Sequence, residues 1–112
     1  MGRVLSGCDR EAEYRALMTL TLTALLWPHP DTEQALVDYE DTVLALIPQH
    51  GGRVIERVRR MDDGDGPFEI QIIELPGEDA LAAYMGDPAR VALAEVHARA
   101  IARTEVVRVE RT

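Results

Sequence analysis

His97 stands four residues after Leu93 and four before Ile101, at the centre of an apolar stripe of helical period, while Glu95, Arg99 and Arg103 fall on the other side. A histidine so placed on an amphipathic helix faces a sheet. Its unperturbed pKa near 6.5 suits it to give or take a proton at neutral pH, and its structural alternative is a core imidazole bonded to a backbone carbonyl. Glu74 alternates with Phe68, Ile70 and Ile72 along one strand face. If that face is the helix-covered one, burial raises the carboxyl pKa and Glu74 can exchange a proton with His97. If the companion face, with Glu69 and Gln71, turns inward instead, the pair is lost. His29 lies between Pro28 and Pro30 beside Trp27, in a stiff connection at a strand end, where cavities open. Tyr39 and Tyr84 add hydroxyls from helical segments. The expected site is therefore His97, Glu74 and His29 for proton transfer, with Trp27, Tyr39 and Tyr84 against a substrate.

Other chemistries are removed by composition. All 12 basic residues are arginine, lysine and asparagine are absent, and Ser6 and Cys8 are the single serine and cysteine. A Schiff-base lysine, a phosphate loop of the Gly-Lys-Ser/Thr kind, a multi-cysteine zinc site and an N-glycosylation site are excluded. The three histidines have no metal-ligand spacing, and no His-x-x-x-His or Glu-x-x-His pair occurs. Asp62, Asp63 and Asp65 lack the flanking helices and closing glutamate of a calcium loop. Together with Arg57, Arg59 and Arg60 they read as a solvated strand end and hairpin tip. His50, before Gly51 and Gly52, reads as a helix C-terminal residue, favoured there by the dipole. Neither a metal nor a cofactor is expected.

These groups must be positioned by short elements. In ALMTLTLTALLW, residues 16–27, Thr19, Thr21 and Thr23 share one face and Met18, Leu20, Leu22 and Leu26 the other, which predicts a strand. Asp31 reads as an N-cap with Gln34 as its capping-box partner, opening a helix from Thr32 to about Gln49 whose inward residues are Leu36, Tyr39, Val43, Leu46 and Ile47. Arg53 to Met61 reads as a second strand, a turn-rich segment 62–67 as a hairpin connection, and Phe68 to Leu75 as a third strand. A short helix over Glu78 to Met85 follows, and Asp87-Pro88 reopens a helix that runs to about Ala102. A valine-rich strand, Thr104 to Glu110, ends the order. Residues 1–15 read as an irregular lead-in, and residues 16–112 as one domain. The order β-α-β-β-α-β predicts an α+β fold, the split βαβ or ferredoxin-like arrangement, with a four-stranded antiparallel sheet and both helices on one face. Apolar residues on the open face, among them Leu17, Leu25, Ile73 and Leu75, then call for a second copy, a homodimer through that face.

The strings HGGRVIERV, GPFEIQIIELP, EDALAAYMGDPAR and ARTEVVRVE, in that order of elements, resemble the dimeric α+β barrel superfamily, in particular its small single-domain branch of unknown function. The likeness covers residues 16–110. It implies two sheets closing a barrel, and a ligand cavity between each sheet and its own helices. Relatives include cofactor-free antibiotic-biosynthesis monooxygenases, polyketide cyclases, isomerases, haem-dependent enzymes and ligand sensors, so the fold leaves the reaction open. With 4% aromatic residues the chain departs from the haem-binding members. The implied function is a cofactor-independent cyclase, isomerase or monooxygenase acting by acid-base chemistry on a small hydrophobic molecule, aromatic or polyketide-like; the alternative is a non-catalytic binding or accessory dimer. A net charge of -8 argues against nucleic acid as a partner. The longest apolar run is too short to span a bilayer, and the absence of a signal-like start leads to an expectation of a cytoplasmic protein.

Overall fold

Alternation of leucine with threonine sets the central strand. A computed structural model describes residues 19–112, in which β1 is Leu20–Pro28, followed by α1 (Glu33–Leu44), a single 3-10 turn (Ile47–His50), β2 (Arg53–Arg59), β3 (Glu69–Leu75), α2 (Glu78–Met85), α3 (Pro88–Val91), α4 (Ala94–Ala100) and β4 (Ile101–Val109). The 1–15 lead-in, with Ser6 and Cys8, and the first residues expected in β1 lie outside the described residues.

The strands form one sheet in the order β2-β3-β1-β4, each neighbour antiparallel. This is the α+β, split βαβ arrangement expected from the element order. Leu22, Ala24 and Leu26 of β1 pack under α1 and α4 or the 3-10 turn, joined by Leu36, Tyr39, Val43, Ile47, Ala100 and Ile101.

Register decides which face of β3 is covered. Leu22 pairs with Ile73, Ala24 with Gln71 and Leu26 with Glu69, so Glu69, Gln71, Ile73 and Leu75 lie on the helix side with the β1 leucines. The inward face expected from Phe68, Ile70 and Ile72 is corrected: Ile70, Ile72 and Glu74 are on the open side, while Ile73 and Leu75 belong to the core. The face with Ile70 and Ile72 is the more apolar in sequence, yet the pairing partner, not the strand's own composition, decides which face is covered.

Three boundaries also differ. Asp31 is not the N-cap of α1: it takes a positive φ of 64°, Thr32 precedes the first turn, and Gln34 donates to Asp38 at 2.9 Å. Pro48 and a residue in the left-handed region, Gly51 at φ 79°, turn the expected tail of α1 into the 3-10 turn. The expected last helix is two pieces, α3 and α4, and residues from Ile101 onward are already strand, so His97 lies one turn before the helix ends. Asp87 caps α3, its carboxylate accepting from the Ala89 amide at 2.9 Å with Pro88 at the first position, as the Asp-Pro pair predicts.

Candidate active site

Between sheet and helices lies a cavity of about 590 Å³. Its floor is Leu22, Ala24, Leu26 and Ile73, and its helical wall carries Tyr39, Glu40, Tyr84, Arg90 and His97. Met85, Val91 and Val106, about half exposed, also line it, so it opens to solvent between α2, α3 and the β4 edge.

His97 reaches the cavity from α4. Its ring stands 5.3 Å from that of Tyr39, tilted by 60°, and among the described residues neither ring nitrogen has a hydrogen-bond partner. Burial, with the Arg90 guanidinium adding to it, holds its pKa below the usual value, so the imidazole is neutral at neutral pH and able to accept a proton. Tyr39 and Tyr84, both buried, line the same space, and burial pushes both phenols up. The Tyr84 hydroxyl donates to the Val43 carbonyl at 3.0 Å, which fixes α2 against α1.

The carboxyl group that shares the cavity lining with His97 is Glu40 rather than Glu74. Glu40 is 5% exposed, and Gln71 Nε2 donates to its Oε1 at 2.7 Å. Burial raises its pKa, the Gln71 hydrogen bond opposes that, and the Glu69 carboxylate raises it further. Gln71 Nε2 also lies 2.6 Å from Glu69 Oε2. Glu69 is fully buried, and two arginines across the strand pair compensate its charge: Arg57 Nε at 2.8 Å and Arg59 Nε at 3.0 Å. Arg57 and Arg59 are therefore not part of a solvated strand end. They hold a buried carboxylate under α1, and Arg57 also donates to Asp41 of α1 at 2.6 Å.

The other expected site residues lie elsewhere. Glu74, on the open sheet face, accepts from Arg53 Nε at 3.1 Å and has Arg111 at 3.7 Å, so the sheet separates it from His97. His29 ties the β1–α1 connection to α4, with its Nε2 3.0 Å from the Ala98 carbonyl and its amide donating to Ala100. Trp27 donates its indole N–H to the Asp65 carbonyl at 3.1 Å and stacks under Arg103, 4.4 Å from the guanidinium carbon; neither His29 nor Trp27 lines the cavity. His50 Nε2 lies 2.8 Å from Asp87 Oδ2, a contact that joins the 3-10 turn to α3. Of the three histidines, only His97 keeps its ring unused by the fold.

Glu40, Gln71 and Arg90 were not among the expected site residues. A signal for Glu40 exists in the series Leu36, Tyr39, Glu40, Val43, Leu44, which is one helical stripe with a carboxylate in it. A signal for Arg90 exists as well: it stands three residues before Leu93 and seven before His97, on the helical face that carries both.

No family model matches the chain, and no curated protein is similar to it in sequence. Solved structures are similar in backbone. A dimeric protein of unknown function and ferredoxin-like fold from Bacteroides fragilis is 21% identical, with a TM-score of 0.64 over 83% of this chain and 96% of its own. The fold is ferredoxin-like. A provisionally named antibiotic biosynthesis monooxygenase from Bacteroides thetaiotaomicron matches this ferredoxin-like chain with a TM-score of 0.68 at 10% identity, covering 86% of this chain and 91% of its own. A DABB family protein with a ferredoxin-like fold from Mesorhizobium loti gives 0.60 at 15% identity, over 84% and 97%. At these identities the likeness is one of fold. Among the described residues no group of three histidine, cysteine or acidic side chains is placed to hold a metal, and no helix is long and apolar enough to cross a membrane.

Proposed function

We propose that this ferredoxin-like protein is a cofactor-independent enzyme that moves a proton on a small hydrophobic molecule, aromatic or polyketide-like, held in the helix–sheet cavity. One observation carries the reading: a neutral histidine with an unused ring shares an apolar cavity with a buried carboxyl group, Glu40, whose pKa is raised. His97 accepts a proton from an acidic C–H or O–H of the substrate. Glu40, held by Gln71, offers a carboxylic acid proton to the opposite end of the same molecule, so a histidine whose pKa burial lowers and a carboxyl group whose pKa burial raises work as base and acid. Tyr39 keeps the His97 ring in place, and the leucine floor excludes water around the transferring proton. Cyclisation, isomerisation and oxygenation all begin with such a step.

Deuterium exchange into 2-tetralone, an aromatic ketone with an acidic C–H, tests this without knowledge of the natural substrate. The wild-type protein accelerates exchange, and His97→Ala and Glu40→Gln each slow it by about 100-fold, the lower range for general acid-base groups. Equal rates in all three proteins reject proton transfer in the cavity. The second reading, a non-catalytic binding or accessory dimer, is favoured by the Tyr84 hydroxyl being committed to Val43; unchanged 2-tetralone binding with no exchange supports it.

The same reading includes a homodimer through the open sheet face. Ile70 and Ile72, half-buried, lie there with Leu25 and the exposed Val58 and Val107. A sheet face of this kind gains from a second copy, and the Bacteroides fragilis neighbour is described as dimeric.

A further inference from the structure

We propose that the molecule bound in this cavity is an organic monoanion, an apolar body bearing one carboxylate-like group, and that Arg90 is its counter-ion. The inference rests on the cavity being a ligand site and adds the charge of the ligand.

Among the described residues most arginines are occupied. Arg53, Arg57, Arg59 and Arg108 each hold a carboxylate. Of the two arginines in the cavity wall, Arg103 holds Glu105 and lies over Trp27. Arg90 forms no ion pair among the described residues. Its guanidinium carbon stands 5.0 Å from the centroid of the Tyr84 ring and its side chain also interacts with the Tyr84 hydroxyl, while its Nε is buried without a hydrogen-bond partner. A buried donor left unsatisfied costs about 1–3 kcal/mol, more when charged, unless a ligand or water supplies the acceptor. A guanidinium offers a planar fork of donors that matches two carboxylate oxygens.

The surrounding groups fit an anion. Tyr39 from α1, Tyr84 from α2 and His97 from α4 are neutral and line the same space, and their titration responds to Arg90. Glu40 is the carboxyl group of that wall. It is hydrogen-bonded to Gln71, forms no ion pair with Arg90, and burial favours its uncharged form. Of the two arginines in the wall, Arg90 is thus the cation without an ion pair, since Arg103 is paired with Glu105. The apolar floor of Leu22, Leu26 and Ile73 receives the body of the ligand, and a volume of about 590 Å³ admits one or two fused rings with their substituents.

Paired probes test the charge separately from the site. Titration of the full chain with 2-naphthoate and with its neutral isostere 2-naphthamide, followed by calorimetry and by the His97 ring signals in NMR, should give at least tenfold tighter binding of the anion. Arg90→Gln should bring the two affinities to parity, and Arg90→Lys, which keeps the charge, should retain most of the preference. Equal affinities in the wild-type protein, or an anion preference that survives Arg90→Gln, overturn the proposal while leaving the cavity reading intact. Failure of both probes to move the His97 signals overturns both.

Discussion

Glu40 and His97 sit in the same apolar cavity, and burial moves their pKa values in opposite directions because it penalises the charged form of each. Their effects on stability are therefore opposite. His97 binds its proton more weakly in the folded state, so the folded state loses stability as pH falls below the unperturbed value of about 6.5. Glu40 binds its proton more tightly when folded, so the stability it contributes is present in acid and is lost as pH rises through its elevated pKa. Glu40→Gln removes this loss, since the amide oxygen can still accept from Gln71. The advantage of the variant over the wild type in thermal melts should grow from pH 5 to pH 8; an advantage that is constant with pH shows that Glu40 has an ordinary pKa. Glu69 is equally buried but has two arginines, whereas Glu40 has a glutamine. In the proposed mechanism, that difference in partners is what would let Glu40 serve as the acid.

Two close approaches fix how the elements meet. The 3-10 turn hands the chain to β2 through Gly51 and Gly52, and a Cβ on Gly52 would stand 2.4 Å from the Glu74 carbonyl oxygen and 2.7 Å from the Leu75 side chain. Only glycine lets β2 pass this close to the end of β3. Gly52→Ala should cost about 1–3 kcal/mol in chemical denaturation, the range for overpacking a filled site. Gly66→Ala, where the nearest atom is 4.0 Å away, should be close to neutral, and equal effects at both positions would refute the packing account. The helices are short for a related reason. The chain after Asp87 makes one turn, breaks at Ala92 and Leu93, and makes a second short helix before entering β4 directly. Arg90 and His97, seven residues apart and so on one face even of a continuous helix, both line the cavity across this break. The turn is held by Asp87, whose pKa is lowered first by the His50 hydrogen bond and then by the Ala89 amide.

At the level of the whole molecule, the helix layer covers one side of the sheet and leaves β4 largely exposed, with Val106 at 49% and Val107 at 48% on its opposite faces. Val106 lines the cavity and Val107 pairs with Thr23 on the open face. Both the cavity mouth and the open face therefore depend on what lies beside this strand in solution. A homodimer through the open face predicts sedimentation as a dimer at micromolar concentration, and Ile72→Asp, in the middle of that face, should shift the species toward monomer with at least a tenfold weaker dissociation constant. A wild-type monomer, or a dimer indifferent to Ile72→Asp, contradicts this interface.

Periodicity and turn residues were enough to read the element order, the antiparallel split βαβ sheet, the cap at Asp87 and the inward placement of His97, because each depends on residues near one another in the chain. Tyr39 and Tyr84 followed from the same helical spacing. The face of β3 did not, since Phe68, Ile70, Ile72 and Glu74 are more apolar than Glu69, Gln71, Ile73 and Leu75, and pairing with Leu22, Ala24 and Leu26 of β1 turns the less apolar set inward. That pairing placed Glu74 on the open side and put Glu69 under α1, where Arg57 and Arg59 of β2 compensate its charge. Glu40 and Arg90, 50 positions apart, become part of one cavity wall only when α1 and α3 pack on the same sheet. Local patterns record the period of an element and the face it can bury; which charge lies beside which is set by contacts between elements distant in the chain.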